Sequence, residues 1–165
     1  MLNRRSFTHL LGATLAMPAH AAGGTLPFYS SVGPELSWYG LDEDSAELKR
    51  LGSVRLPANV QYAWPDPAGL RFLYVAASSN RPDGPNDHCV QAFHLGAGGA
   101  LTPHGARVAL RQRPVHITVD AACRFLVTAY NLPSAISVHR INGDGSIGQE
   151  IAQPQLDTGL AFENW

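Results

Sequence analysis

The sequence predicts an all-β fold made of repeated four-stranded antiparallel units, and three observations support this. Similar segments recur at a spacing of 46 to 54 residues. Each repeat holds strand-sized apolar segments separated by turns rich in Gly, Pro, Asn and Asp. Beyond residue 24, no ten-residue stretch combines a helical period with helix caps.

The repeat rests on two elements. The segment 68–76 (AGLRFLYVA) recurs as 121–129 (AACRFLVTA), with Arg-Phe-Leu matching at an offset of 53. A second element occurs three times and is followed each time by a polar or Gly-rich turn; its copies are 36–41, 90–95 and 136–141. A period of this length made only of strands and turns is typical of a β-propeller blade.

The last repeat shows the strands of a blade in order. We predict strands at 115–119, 125–130 and 135–141, with turns at 120–124, 131–134 and 142–145 between and after them. The middle strand is almost continuously apolar, which predicts burial on both faces. The best helical candidate, 42–51, falls at a turn position of the repeat, so we predict strand, turn and strand there.

The number of repeats is small for a closed ring. Residues 25–165 have room for about two and a half to three blades, whereas propellers use about four to eight. Each blade buries its faces only against its neighbours. We therefore expect an incomplete propeller domain, foremost from a truncated gene, or otherwise a piece that assembles with copies of itself through exposed blade faces.

The first 24 residues predict an export signal. Arg4 and Arg5 precede the apolar run 10–17, and the small-x-small segment 19–21 follows. The arginine pair is similar to the twin-arginine export motif, and the alternatives are an ordinary secretory signal or a short membrane anchor. We expect a periplasmic or secreted protein that has no membrane segment once the signal is removed.

Composition excludes several classes of protein and partner. Hydrophobic residues make up 45% of the 165-residue chain and charged residues only 15%, which argues against disorder and against a coiled coil. The net charge is −1 and the basic residues are scattered, so we expect no nucleic-acid partner. Cys89 and Cys123 are expected to remain two separate thiols rather than a disulfide, and no Cys or His spacing resembles a zinc site.

Several motifs resemble the lactonase family of seven-bladed propellers, which includes 6-phosphogluconolactonase and carboxymuconate cyclase. They are 74–76 (YVA), 90–93 (VQAF), 99–102 (GALT), 113–120 (RPVHITVD) and 129–134 (AYNLPS), and the similarity spans roughly 29–159. The resemblance implies opening or closing of a lactone ring, with a small lactone or sugar-derived substrate; because the sequence shows no metal- or nucleotide-binding motif, we expect no cofactor. It also places the family's catalytic His, Glu and Arg in later blades, so we expect this chain to be inactive alone.

The candidate site residues are few. His116, a weak catalytic candidate, could bind a substrate carboxylate or hydroxyl, or instead bond to a neighbouring backbone; Arg113 could hold an anionic group or be solvated. Asn131 could face the channel, although a turn role is favoured. The 80–81 pair and His88 are expected to belong to a hydrophilic loop.

Other features of the sequence have structural interpretations. Asp66 and Asp120 occupy equivalent positions before turns, which favours backbone hydrogen bonding over catalysis. The recurring aromatic residues are predicted to pack between blades; they are Trp38, Tyr62, Trp64, Phe72, Phe93 and Phe125. No metal site, phosphate-binding loop or Gly-x-Ser-x-Gly nucleophile is visible, and a non-catalytic binding or scaffold propeller remains the alternative function.

Overall fold

A computed structural model describes residues 25–79 and 87–153, which form eleven strands and one short 3-10 turn at Ala97–Gly99. The strands are β1 (Thr25–Val32), β2 (Glu35–Asp42), β3 (Leu48–Arg55), β4 (Asn59–Pro65), β5 (Phe72–Ser79), β6 (Asp87–Leu95), β7 (Leu101–Ala109), β8 (Pro114–Val119), β9 (Phe125–Asn131), β10 (Ser134–Ile141) and β11 (Ile147–Ile151). The export signal predicted for residues 1–24 lies outside the described residues.

The strands form three antiparallel sheets, which we call the first, second and third blades. Their orders are β1-β2-β3, β4-β5-β6-β7 and β8-β9-β10-β11. The edge strands β4 and β8 belong to different sheets but lie side by side. We call the place where these two strands meet the shared inner edge of the second and third blades. The predicted all-β fold with antiparallel blades is confirmed, and 42–51 is strand, turn and strand as expected.

Two apolar clusters lie between the blades and form the core. One contains Leu36 of β2 and Phe93 of β6, and therefore joins the first and second blades. The other contains Tyr74 of β5 and Leu126 of β9, and joins the second and third blades. Because the second blade has a neighbour on each side, seven of the eight residues of β5 are buried.

The prediction that β9 is buried on both faces is wrong for the described structure. Leu126 and Thr128 are fully buried against the second blade, whereas Val127 and Ala129, which alternate with them, are only half-buried. The reason is that no described strand covers the outward face of the third blade. Phe125 likewise belongs to neither apolar cluster and instead lies beneath the guanidinium groups of Arg124 and Arg140.

A tyrosine hydroxyl joins each pair of successive blades, and we call this contact a tyrosine latch. Tyr29 donates to the carbonyl of Gly99 at 2.8 Å, and Tyr74 donates to the carbonyl of Gly145 at 2.9 Å. The two tyrosines occupy equivalent register positions, and both glycines have positive φ in the turn between the last two strands of a blade. Glycine adopts this conformation without the steric cost of a side chain.

The two turn aspartates have the structural role expected from the sequence. Asp66 accepts hydrogen bonds from the backbone amides of Ala68 and Gly69. Asp120 accepts in the same way from Arg124 and Phe125. These bonds satisfy amides that a tight turn leaves without a ladder partner.

The cysteines are separate thiols, as predicted. Cys89 is buried in the cluster between the first and second blades, and burial raises its pKa to about 11. Cys123 lies at the opposite interface, where its thiol donates to Asp66 at 2.9 Å. The intervening second blade keeps the two sulfur atoms apart.

Candidate functional site

The two inner strands carry a β-bulge at the same repeat position. In β4 the pairing with β5 shifts between Val60 and Tyr62, which leaves Gln61 as the extra residue. In β8 the pairing with β9 shifts between Pro114 and His116, which leaves Val115 as the extra residue. A bulge re-aims the side chains beside it, and bulges are frequent next to binding sites.

His116 lies against an aromatic wall supplied by the neighbouring blade. Its ring centroid is 4.2 Å from that of Tyr62, with the planes inclined by 45°, and 5.8 Å from that of Trp64. His116, Tyr62 and Trp64 are all half-buried. The histidine therefore packs between two blades while part of its ring remains accessible.

The side chain of Arg113 is oriented by Gln61, the bulge residue of β4 in the second blade. Its Nε donates to the side-chain oxygen of Gln61 at 3.0 Å. The arginine is exposed, and none of the carboxylates in the described residues lies within salt-bridge distance of it. The guanidinium is thus oriented by one hydrogen bond while its outer N–H donors face solvent.

The structure does not bring the third predicted residue into this cluster. Asn131 is the exposed last residue of β9, and its backbone carbonyl accepts a hydrogen bond from Ser134 across the turn. Because Pro114 pairs with Tyr130, Asn131 lies one position beyond the last pair of that ladder, at the same end of the blade as Arg113. Asn131 thus takes part in the turn through its backbone, and the role predicted for its side-chain amide stays a prediction.

The predicted loop around His88 is only partly described. His88 lies on β6 and shares a hydrogen bond of 2.9 Å with Ser78 on β5. The 80–81 pair lies outside the described residues. His88 is thus a strand residue rather than the loop residue that we expected.

Sequence reasoning missed the contact of Gln61 with Arg113 and the contacts of Tyr62 and Trp64 with His116. An offset of 54 residues, already visible between Asp66 and Asp120, makes Tyr62 the equivalent of His116 and Gln61 the equivalent of Val115. Equivalent residues of neighbouring inner strands lie side by side in a propeller. This offset was the signal that could have predicted the pairing of the two rings.

The cluster combines an aromatic wall with a few polar groups, namely the Arg113 guanidinium, the His116 imidazole and the Gln61 amide. Small-molecule sites commonly have this composition. Among residues 25–79 and 87–153, no three metal-ligating side chains lie together. No helix in the same residues has the length and hydropathy needed to cross a membrane.

Residues 27–160 match a model of the family described as "Lactonase, 7-bladed beta-propeller". A search of curated proteins found no match. Similar solved structures include a candidate 6-phosphogluconolactonase of Bacteroides fragilis, with a TM-score of 0.62 and 14% identity over 74% of this chain and 34% of that chain. A Lactobacillus plantarum protein has a TM-score of 0.61 and 16% identity over 76% of this chain and 38% of that one.

A third similar structure is the periplasmic gluconolactonase of Pseudomonas aeruginosa, with a TM-score of 0.60 and 16% identity over 82% of this chain and 41% of that one. At these identities the structural likeness shows the fold alone. The chain spans between 34% and 41% of the length of these three structures.

Proposed function

The chain belongs to the lactonase family of seven-bladed β-propellers, and we propose that its inner strands supply binding groups for a sugar-derived or carboxylic lactone. The observation that carries the proposal is the cluster across the shared inner edge, where Arg113 and His116 meet Gln61 and Tyr62 at equivalent bulges. Asn131 is proposed to contribute at the periphery, from the same end of the blade.

The chemistry of a lactone suits this cluster. A lactone presents a polar carbonyl and, in sugar lactones, several hydroxyls on a ring with apolar faces. The exposed N–H donors of Arg113 can bond to the carbonyl or to hydroxyls, and the imidazole of His116 can donate or accept. The half-buried rings of Tyr62 and Trp64 offer an apolar surface beside these polar groups.

Hydrolysis requires more than these residues supply. Water must lose a proton to a base as it attacks the carbonyl carbon, the oxyanion must be stabilised, and the ring oxygen must gain a proton as its bond to carbon breaks. Within residues 25–79 and 87–153, the cluster provides candidates for substrate binding but only His116 as a candidate base. We therefore propose that the 165-residue chain alone binds lactone without hydrolysing it, and that the complete reaction uses groups from further blades.

The test is to titrate the chain with gluconolactone while following backbone amide resonances, and to measure its hydrolysis against the spontaneous rate. We expect shifts confined to β4 and β8, with hydrolysis at the spontaneous rate. The Arg113→Lys variant loses the planar fork and should bind about tenfold more weakly. Arg107→Lys, at an exposed position of β7, is the matched control and should bind normally.

Each outcome of this titration decides one part of the proposal. Hydrolysis above the spontaneous rate contradicts the proposed inactivity of the isolated chain. Shifts elsewhere, or none, contradict the proposed site and favour a propeller that binds a different ligand or acts as a scaffold.

We also propose that residues 1–24 direct export to the periplasm, and that an unphosphorylated lactone is the substrate class because phosphorylated sugars belong to cytoplasmic metabolism. The periplasmic gluconolactonase of Pseudomonas aeruginosa, which has a similar fold, supports both parts of this proposal. A reporter enzyme that is active only after export, fused after residue 24, should be active with the native segment. Replacing Arg4 and Arg5 by Lys should abolish that activity if the twin-arginine route is used.

A further inference from the structure

A cleft of about 110 Å³ lies between the second and third blades, away from their shared inner edge. One wall is the connection from β7 to β8, including Leu110 and Gln112, and the other is formed by β9, β10 and β11. We call it the inter-blade cleft. None of the residues at the shared bulges lines it.

The floor of the inter-blade cleft is polar although it is buried. His139 is 2% exposed, and its Nδ1 has no hydrogen-bond partner among the described residues. The side-chain oxygen of Gln112 is likewise buried without a described partner. Tyr130 and Ser137 share a hydrogen bond of 2.7 Å beside them. Buried polar atoms are rarely left unpaired, because each one costs free energy comparable to a lost hydrogen bond.

The polar floor is a property of this interface rather than of the repeat. The residue equivalent to His139 in the second blade is Phe93, which is 2% exposed inside an apolar cluster. Both residues pair with an equivalent leucine, Leu126 for His139 and Leu73 for Phe93. An apolar residue is therefore compatible with this position, and the histidine needs a separate reason.

The mouth of the cleft carries one charge of each sign. Arg111 and Glu150 face each other at 3.5 Å, and both are solvent-exposed. Opposite charges at this distance largely cancel each other's field, so the entrance favours neither anions nor cations. The polar groups of the floor disfavour an apolar ligand, because such a ligand would leave them unpaired.

We propose that the inter-blade cleft binds a small neutral polyhydroxylated molecule. Hydroxyl groups can donate to the Gln112 oxygen and either donate to or accept from His139 Nδ1. The cleft is roughly an order of magnitude larger than the volume that one water molecule needs. A compact polyol can thus satisfy several floor groups at once. This inference does not depend on the lactonase function proposed for the inner strands.

The experiment follows the imidazole nitrogen resonances of His139 while glycerol is added to the chain. We expect a saturable change in the His139 signals and in the amides of β10. Dimethoxyethane, which is similar in size but has no hydroxyl donor, should leave these signals unchanged. Ser137→Ala should weaken glycerol binding about fivefold, because one neutral hydrogen bond is lost.

Two further variants keep the test decisive. His139→Phe introduces the residue found at the equivalent position of the second blade, so it should fold and lose glycerol binding, as followed by the β10 amides. Ser134→Ala, at an exposed position of the same strand, is the control and should bind normally. A non-saturable response, equal responses to glycerol and dimethoxyethane, or unchanged glycerol binding in His139→Phe would each contradict the proposed polyol site.

Discussion

The buried hydroxyl of Tyr74 joins the second and third blades through a single hydrogen bond to the carbonyl of Gly145. We expect Tyr74→Phe to lower the free energy of unfolding by about 1–3 kcal/mol, because it keeps the ring but leaves a buried carbonyl unpaired. Urea denaturation would measure the loss. Tyr39→Phe is the matched control, since the described residues offer its hydroxyl no hydrogen bond, and it should change stability little.

The loss of the equivalent hydroxyl between the first and second blades is expected to lower the free energy of unfolding by a smaller amount. Tyr29 makes the equivalent latch to Gly99, but in a less buried setting. Its variant Tyr29→Phe should therefore cost less than Tyr74→Phe. Equal losses in all three tyrosine variants would contradict a specific contribution from the latches.

His139 should make the fold sensitive to mild acid. Burial lowers the pKa of His139 below its ordinary value, and the Glu150 carboxylate opposes this shift without cancelling it. Because the unfolded chain binds the proton more readily, the stability contribution is complete above about pH 6.5 and is lost as the pH falls below that value. Comparing unfolding free energies of the chain and of His139→Phe from pH 7.5 to 5 isolates the effect, and parallel pH profiles would contradict it.

At the residue scale, sequence reasoning identified site candidates but not all their contacts. His116 lies at the inner edge because β8 is the inner strand of its blade, and Arg113 lies there because it immediately precedes that strand. The partner Gln61 was missed because a bulge, whose position depends on tertiary pairing, turns it toward Arg113. The polar floor around His139 was also missed, since the repeat alone suggests apolar packing there.

At the element scale, the turn before each second strand of a blade depends on one aspartate. Burial raises the pKa of Asp66, but hydrogen bonds from Cys123 and from the backbone amides of Ala68 and Gly69 outweigh it, so the net pKa is below the ordinary value. The Asp66 side chain is 2% exposed and that of Asp120 is 27% exposed. The same turn is therefore more sensitive to change in the second blade than in the third.

We expect Asp66→Ala to destabilise the fold by about 2–3 kcal/mol at neutral pH, and Asp120→Ala by less, because a buried acceptor is worth more than an exposed one. A lowered folded pKa means that the stabilisation is present above about pH 4 and is lost as the pH falls through the folded value. The variants should thus converge with the parent chain in acid. Thermal unfolding at several pH values would measure this, with Asp44→Ala in an exposed turn as the control.

The strands and turns themselves were predictable because they repeat. Alternation, turn residues and the recurring Arg-Phe-Leu segment placed β8, β9 and β10 to within one residue of their observed bounds. The burial of β9 was not predictable, because an apolar strand does not reveal whether both of its faces have a neighbour. That property belongs to the number of blades rather than to the strand.

At the scale of the whole molecule, the described residues leave two blade faces uncovered. Phe28 on the outward face of the first blade and Ile136 on that of the third are each 51% exposed. In addition, no described strand occupies the position beside β1 that β4 and β8 occupy in the other blades. An apolar face next to an unpaired strand edge favours association with another chain.

We therefore expect the chain to bind a hydrophobic dye and to self-associate as its concentration rises, with both effects reduced by combining Phe28→Lys and Ile136→Lys. Sedimentation velocity and dye fluorescence would measure the two properties. Leu70→Lys is the control, because it adds the same charge at an exposed turn position outside either face. A monomeric parent chain that binds no dye and unfolds in a sharp transition would contradict the expected association through these faces. If Leu70→Lys reduces association equally, net charge rather than the blade faces controls it.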